Sequence, residues 1–533
     1  MKKRIALVCM LFVGVISFGQ SLQLDWFDKF EYDKKEGFLK EIAGETKSSI
    51  YFRYFDSDIN IANANGEKKN PKTQIVIYDK ETKKIVKSQK IQGFGNDEFK
   101  NLDYYKTCIL GSTIYTFWRT KREALAKNSD LYVKTYDTLL TPKSNLKKII
   151  SIKASDLIEL QRYVHVCKNN NLDKLFLVIE CGRTTASSAF ESYILSSDLS
   201  VSKPLKFELP YNVDDNTVEI HDPMAILTLA NSGILIGKCL NTNFVINENN
   251  TNKKIFDTNL DGKIINSLRY YENNSGIQFV GTYVTKYSND LKVKIPGLVK
   301  FILDSKSLTP SKYEYIPFND EQLNVLFPPY KDKKSSFYEV GYDKTEKNYF
   351  DYELDEIVQI GNELFLMLTK SNFLVTQNND KKHYTPRAIV KLNVVPLRLS
   401  ENNSINLLQS FEKKIWSRNA DFKTIKSFVE GDYVYSIINE EALLGKDDPY
   451  GKFFNSRFYY TITNINTGIS ETKYFQLYNH KDKKSIVKTF TYFPINLISE
   501  YQKTIYYFFN PEINFDVTSK TSPKFIGQLS ITK

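Results

Sequence analysis

The chain has 533 residues, 41% hydrophobic and 25% charged, with a formal net charge of +11. These are ordinary values for a soluble globular protein with ample material for a large core. After the first twenty residues no run reaches the roughly 18 apolar residues of a membrane-spanning helix, which excludes a helical membrane protein.

In chain order, the first feature is a targeting signal over residues 1–19. Lys2, Lys3 and Arg4 precede the apolar run Ile5–Phe18, and Ser17 and Gly19 are the small residues before a cut at Gln20. Cys9 lies inside the apolar run, so no lipoprotein anchor is expected. The mature chain, 20–533, is expected to be exported, periplasmic or extracellular, with no membrane anchor. Losing three cations lowers +11 to +8. The lysines of loops such as Lys331–Lys334 and Lys481–Lys484 read as solvated turns, or else as a basic face for acidic glycans. Nucleic acid is not an expected partner, because no nucleic-acid module is recognisable.

Thr73–Gly93 reads as strand, polar turn, strand: Ile75 and Ile77 alternate on the way in, Ile85 and Ile91 lie on the way out, and Asp79–Lys84 is polar throughout. The same figure recurs with turns near residues 80, 140, 199, 250, 306, 396 and 467. Each turn follows another apolar pair of strands, as in Lys106–Trp118 and Ala225–Cys239. Four antiparallel strands per roughly 57 residues make one sheet per repeat, the pattern of a β-propeller. The fold class is therefore all-β, a propeller of eight blades, or seven if the repeat near 250 is not a blade. Ser21–Tyr32 and Phe525–Thr532 are single strands at the two ends, and pairing them completes a blade and removes two open sheet edges. Pro317–Glu353 reads as an insertion between blades, with a helical turn at Glu321–Leu326 stopped by Pro328 and Pro329.

This pattern resembles secreted β-propeller proteins in general, over nearly the whole mature chain. There is no WD dipeptide and no kelch glycine pair. Gly93–Phe99 (GFGNDEF) is similar to the glycine-rich turn that links blades in NHL-type and related six-bladed propellers, and occurs once.

No GxSxG, HExxH or Walker A motif is present, and GILIGKC at Gly233–Cys239 falls short of the last. His165 alternates inside an apolar strand and reads as a core residue. Cys108, Cys167, Cys181 and Cys239 fall in expected strands without zinc spacing; export leaves disulfides among them open. Asp257, Asn259 and Asp261, followed by Gly262, match the first half of a calcium loop, although Leu268 stands where a bidentate Glu belongs. An Asp-Gly hairpin explains the same residues. No other cofactor is expected. Asp214, Asp215, Glu219, His221 and Asp222 concentrate carboxylates in one connection, the residue types of glycosidase or lyase chemistry at a propeller's central mouth.

Trp118 and Arg119 close a strand, Arg183 closes another, Arg387 opens one after a polar loop, and Trp416 is placed in a loop joining blades. The propeller resemblance implies that these connections open on one face, where Trp and Arg suit an acidic glycan or protein segment. The leading reading is thus an exported binding or scaffold protein with Trp118, Arg119, Arg183, Arg387 and Trp416 as its binding residues. The alternative is a carbohydrate- or peptide-acting hydrolase or lyase using the acidic connection.

Overall fold

A computed structural model describes residues 21–28, 38–56, 72–92, 97–120, 128–153, 164–168, 174–183, 187–210, 224–229, 233–239, 242–256, 259–260, 263–273, 276–285, 296–326, 350–377, 384–417, 425–442, 455–474, 495–498, 506–509 and 526–532. The expected signal segment lies outside them. No helix among the described residues is long and apolar enough to cross a membrane.

The described strands form eight antiparallel sheets, mostly four-stranded, an all-β architecture consistent with a β-propeller. In the first sheet the order follows the chain: Phe38–Glu45, Ser49–Asp56, Lys72–Asp79, Ile85–Gln92. The next six sheets repeat that order, their first strands being Leu102–Leu110, Val164–Lys168, Met224–Leu229, Lys263–Asn273, Phe350–Ile360 and Ile425–Glu430 respectively, with the two-residue strand Asn259–Leu260 added at the edge of the fifth. The eighth joins both ends of the chain. Ser21–Trp26 lies antiparallel to Ile526–Thr532, from Ser21 opposite Thr532 to Trp26 opposite Gly527. The expected pairing of the two terminal strands is therefore present.

The regularity comes from the turn between the third and fourth strands. In seven sheets one residue of that turn has positive φ: Lys83, Leu140, Leu199, Asn250, Leu308, Asn403 and Gly468, at spacings of 57, 59, 51, 58, 95 and 65 residues. Left-handed backbone is costly for leucine. It is held here because Leu140, Leu199 and Leu308 are buried, while an aspartate side-chain oxygen in the turn takes backbone N–H groups that follow it. Asp79 accepts from Thr82 at 2.7 Å, Asp198 from Ser200 at 2.9 Å and Asp304 from Ser307 at 2.7 Å. One expected turn was misplaced. Asn393–Leu399 is the end of the long strand Tyr384–Leu399, and the turn falls at Ser400–Ser404. Pro396 is a strand residue rather than a turn residue, and its carbonyl accepts from the N–H of Leu408 at 2.9 Å.

These turns are expected to make a modest contribution to the acid sensitivity of the fold. Asp79 is lowered by the N–H of Thr82, Asp198 by the hydroxyl and N–H of Ser200, and Asp304 by the N–H of Ser307. Each carboxylate has a folded pKa below its unfolded one, so its contribution is complete above the unfolded value near 3.8 and is lost as pH falls through the folded value. Replacing the three aspartates by asparagine keeps an acceptor oxygen and removes the titration. The melting temperature of the triple variant is expected to fall less steeply than that of the parent below about pH 4. Parallel melting curves between pH 5 and pH 2 would show that these turns do not carry the effect.

The core lies between sheets packed face to face. Tyr51 and Ile77 of the first sheet meet Ile114 and Trp118 of the second. Phe117 and Val133 meet Leu175 and Leu177 of the third, whose Phe176 and Phe190 meet Phe244 of the fourth. Phe256 meets Phe279 and Phe301 of the fifth. Leu298 meets Leu366 and Leu397 of the sixth, and Met367 meets Val434 of the seventh. The backbone N–H of Leu22 in the eighth donates to the Tyr460 hydroxyl of the seventh at 3.1 Å, and Phe27 packs on Phe52 and Tyr78 of the first.

The insertion expected at 317–353 overlaps strands at both ends: Pro317 closes Glu314–Pro317 and residues 350–353 open Phe350–Ile360. Its start is a brace. A short helix, α1 (Asp320–Leu326), is capped reciprocally by Asn319 and Gln322 at 2.8 and 2.9 Å. Phe318 and Leu326 are buried between the fifth and sixth sheets, and the Tyr352 hydroxyl donates to Leu326 O at 2.6 Å. Residues 327–349 lie outside the described residues.

The basic excess has a structural place. Exposed lysines, among them Lys90, Lys147, Lys148, Lys206 and Lys254, sit on the fourth, outermost strands, where they guard an open edge. Several also reach the next sheet: Lys87 donates to Leu139 O at 2.7 Å and Lys147 to Leu199 O at 2.9 Å.

Candidate functional site

Chain direction separates the two ends of every sheet. One end carries the tight turns. The other carries the links from second to third strand and from each fourth strand to the next sheet, and the longer gaps between described strands fall there. Long connections on a rigid frame are where binding residues concentrate.

At this end the first strand of a sheet is regularly distorted. Its pairing with the second strand is interrupted by a bulge at Leu39/Glu41, Tyr104/Lys106, Met224/Ile226, Ile265/Ser267, Leu354/Glu356 and Ile495/Leu497, in six of the eight described sheets. A bulge re-aims side chains and recurs next to functional sites. The extra residues are Lys40, Tyr105, Ala225, Asn266, Asp355 and Asn496.

Where side chains are described, the bulged strands carry polar groups that bind neighbouring sheets together. Arg53 donates to Glu41 at 2.7 Å and lies 4.2 Å over the Tyr104 ring of the second sheet. The Tyr104 hydroxyl donates to Thr107 at 2.6 Å, and burial together with the Glu41 charge raises its pKa. Arg269 of the fifth sheet donates to Asp355 O of the sixth at 3.1 Å, and Ser267 accepts the N–H of Leu354 at 2.9 Å.

The second sheet brings three such groups to this end. Tyr105 is half-buried, Lys106 is exposed, and the Arg119 guanidinium lies 5.7 Å from the Tyr105 ring, with Asp103 opposite Arg119 in the ladder. The Lys106 ammonium donates to the backbone carbonyl of Val166 at 3.0 Å. Beside it, His165 is held well below its usual range, at about 4, first by burial and then by the Lys106 charge. Its Nε2 is enclosed and has no hydrogen-bond partner among the described residues. His165 thus sits in a strand, as expected, but beside a lysine that its apolar neighbours did not reveal.

The sequence-derived binding residues divide. Trp118 is a correction: it is fully buried, stacked on Phe99 at 4.0 Å, with its Nε1 donating to Thr116 at 2.9 Å. Its strand position faces the first sheet, whereas Arg119, one residue on, faces the other way. Arg119 remains at the site. Arg183 ends the strand Lys174–Arg183 of the adjoining sheet, opposite Ser188. Arg387 is the extra residue of a bulge between Pro386 and Ala388 in the sixth sheet. Trp416 is also a correction: it lies in Phe411–Ser417, opposite Val390, because the 16-residue strand beside it offers backbone partners beyond Ile405–Leu407.

Asp214, Asp215, Glu219, His221 and Asp222 lie outside the described residues, as do Asp257 and Asp261. Asn259 is in Asn259–Leu260, and Leu260 pairs with Lys263 across residues 261–262, the register of a two-residue hairpin. No group of three His, Cys, Asp or Glu suited to a metal occurs among the described residues. Cys108, Cys167 and Cys181 are free thiols. Cys108 packs against Val166, while Cys167 lies with Phe176 and Phe244 on the other side of the third sheet. Burial pushes the Cys167 and Cys181 thiols up to about 12.

No protein-family model and no curated protein matches the sequence. Solved structures with some likeness include the S. cerevisiae core factor, at 8% identity and a TM-score of 0.33 over 86% of this chain and 62% of that one. A polysaccharide lyase of a new family, an ulvan lyase, shows 10% identity and a TM-score of 0.32 over 85% and 86%. The α-L-arabinofuranosidase from Lactobacillus brevis shows 10% identity and a TM-score of 0.25 over 69% and 92%. At such scores these likenesses assign no activity to this chain.

Proposed function

We propose that the chain is an exported, eight-bladed β-propeller that binds an acidic glycan or an acidic protein segment on the loop-bearing end of its second and third blades. The closed ring is supported by the succession of contacts from sheet to sheet, with the eighth sheet touching both the seventh and the first. Export is supported by the N-terminal charged and apolar run.

The observation that carries the binding reading is that the Arg119 guanidinium lies by the Tyr105 ring, with Lys106 the next residue of the same bulged strand. Lys106 meets a backbone carbonyl there, a neutral partner that an anionic group can replace with gain. Tyr105 offers a flat face for a sugar ring or apolar side chain. Attraction of this kind is salt-sensitive.

Changing Lys106 and Arg119 together to alanine is expected to weaken binding of dextran sulfate oligomers roughly 10-fold at low salt. The melting temperature should move little, since partly exposed cations contribute little to folding. Equal affinity of parent and double variant in a titration at low salt would remove the site.

A further inference from the structure

His165 has no role in the binding reading above, yet it feels the Lys106 charge. The two lie on the first strands of adjoining sheets, which touch. Lys106 is anchored on the carbonyl of Val166, the residue that follows His165. The imidazole Nε2 is shut away from solvent without a hydrogen-bond partner among the described residues. Its cross-strand neighbour is Val178. The strand Met224–Leu229, which packs against it from the fourth sheet, contains no titratable residue. On its own strand Cys167 is a neutral thiol, as is Cys181 on the second strand. Glu180, buried on the second strand two residues beyond Val178, is the carboxylate of that strand, and Cys108 lies on the Lys106 strand. The charge that His165 feels most directly is therefore the ammonium of Lys106.

We propose that capture of an acidic group by Lys106 is coupled to uptake of a proton by His165. This rests on the binding reading above and adds its regulation. An arriving sulfate or carboxylate neutralises the Lys106 charge. With that repulsion relieved, protonating the buried imidazole costs less, and its charge adds to the field that holds the anion at Lys106. By linkage, the ligand that favours the protonated ring is itself bound more tightly when protons are plentiful. Affinity rises as pH falls from 7 to 5, by about 10-fold if the bound anion lifts the histidine by two pH units.

Dextran sulfate oligomers are a suitable probe, because their sulfates stay charged across this range. Calorimetric titration of the full mature chain at pH 7, 6 and 5, in buffers of different ionisation enthalpy, reads both affinity and proton uptake. The expected result is tighter binding and net proton uptake toward pH 5, with both losses confined to pH dependence in His165→Gln, which still binds at pH 7. Selective labelling of the four histidines gives a second readout in the unaltered protein: the His165 resonance should titrate at higher pH with the probe than without it. Binding by His165→Gln with the parent's pH dependence, or an unmoved His165 titration in the saturated parent, overturns the coupling and leaves the binding site standing. A parent that binds nothing at low salt at any of these pH values overturns both.

Discussion

Removal of residues 21–28 is expected to leave a chain that unfolds at markedly lower denaturant and aggregates on concentration. Ser21–Trp26 is the partner of Ile526–Thr532, and without it the edge beside the fully buried Leu529 is open to other chains. The loss is also one of packing. Leu22 and Phe27 are both buried, and Phe27 sits edge-on to Tyr78 at 5.6 Å. Their burial is worth roughly 3–6 kcal/mol together. Asp25 pairs with Lys83 at 2.7 Å, and the N–H of Asp28 donates to Lys83 O at 2.9 Å, so this short segment also ties the eighth sheet to the first turn. Urea denaturation and light scattering measure the effect. A synthetic peptide of residues 21–28 should restore part of the lost stability when added in excess. A truncated chain that unfolds like the parent would mean that the terminal strands pair without holding the fold.

Trp118→Ala is expected to cost about 3–5 kcal/mol of stability, the range for truncating a large buried aromatic. The side chain is enclosed between Phe99 and Tyr104, stacked on the first and edge-on to the second at 5.4 Å. Phe99 is brought there by the 3-10 turn Asp97–Phe99, which Gln92 fastens by donating to Phe99 O at 3.0 Å and to Leu102 O at 2.6 Å. The end of the GFGNDEF segment therefore works as a lid over the tryptophan. Trp118→Phe should recover most of the loss. Thermal melting with a binding titration separates the alternatives: a binding residue would show weakened ligand affinity at unchanged melting temperature, the opposite of the result expected here.

Much of the frame could be read from residue order, because it rests on local rules. A β-strand needs alternation and a hairpin needs a turn, and both are short-range. Residues such as Asp137 and Asp304, each shortly before a leucine held in left-handed backbone, lie in turns that residue order marked, and six of the seven expected turns fall where they were placed. The terminal strand pairing could also be inferred, since an unfinished sheet at each end leaves two edges that only each other can cover. Asn393–Leu399 shows the limit of that logic: a proline suggested a turn, but the strand had room for it because its missing N–H faced no obligatory partner.

The site was decided elsewhere. Trp118 and Arg119 are adjacent and look equally suited to an exposed rim, yet one-residue alternation sends the first into the interface between two sheets and leaves the second beside Tyr105. No pattern in the chain marks the bulges that repeat on the first strands, since an extra residue shows only against a partner strand. The proximity of Lys106 and His165, 59 residues apart, follows from two sheets meeting face to face. Length, alternation and turn chemistry were thus enough to determine what kind of sheets this chain makes. Only the packing of one sheet on the next decided which charges stand together, because burial and the field of a neighbouring ammonium are properties of the assembled interface and not of any segment.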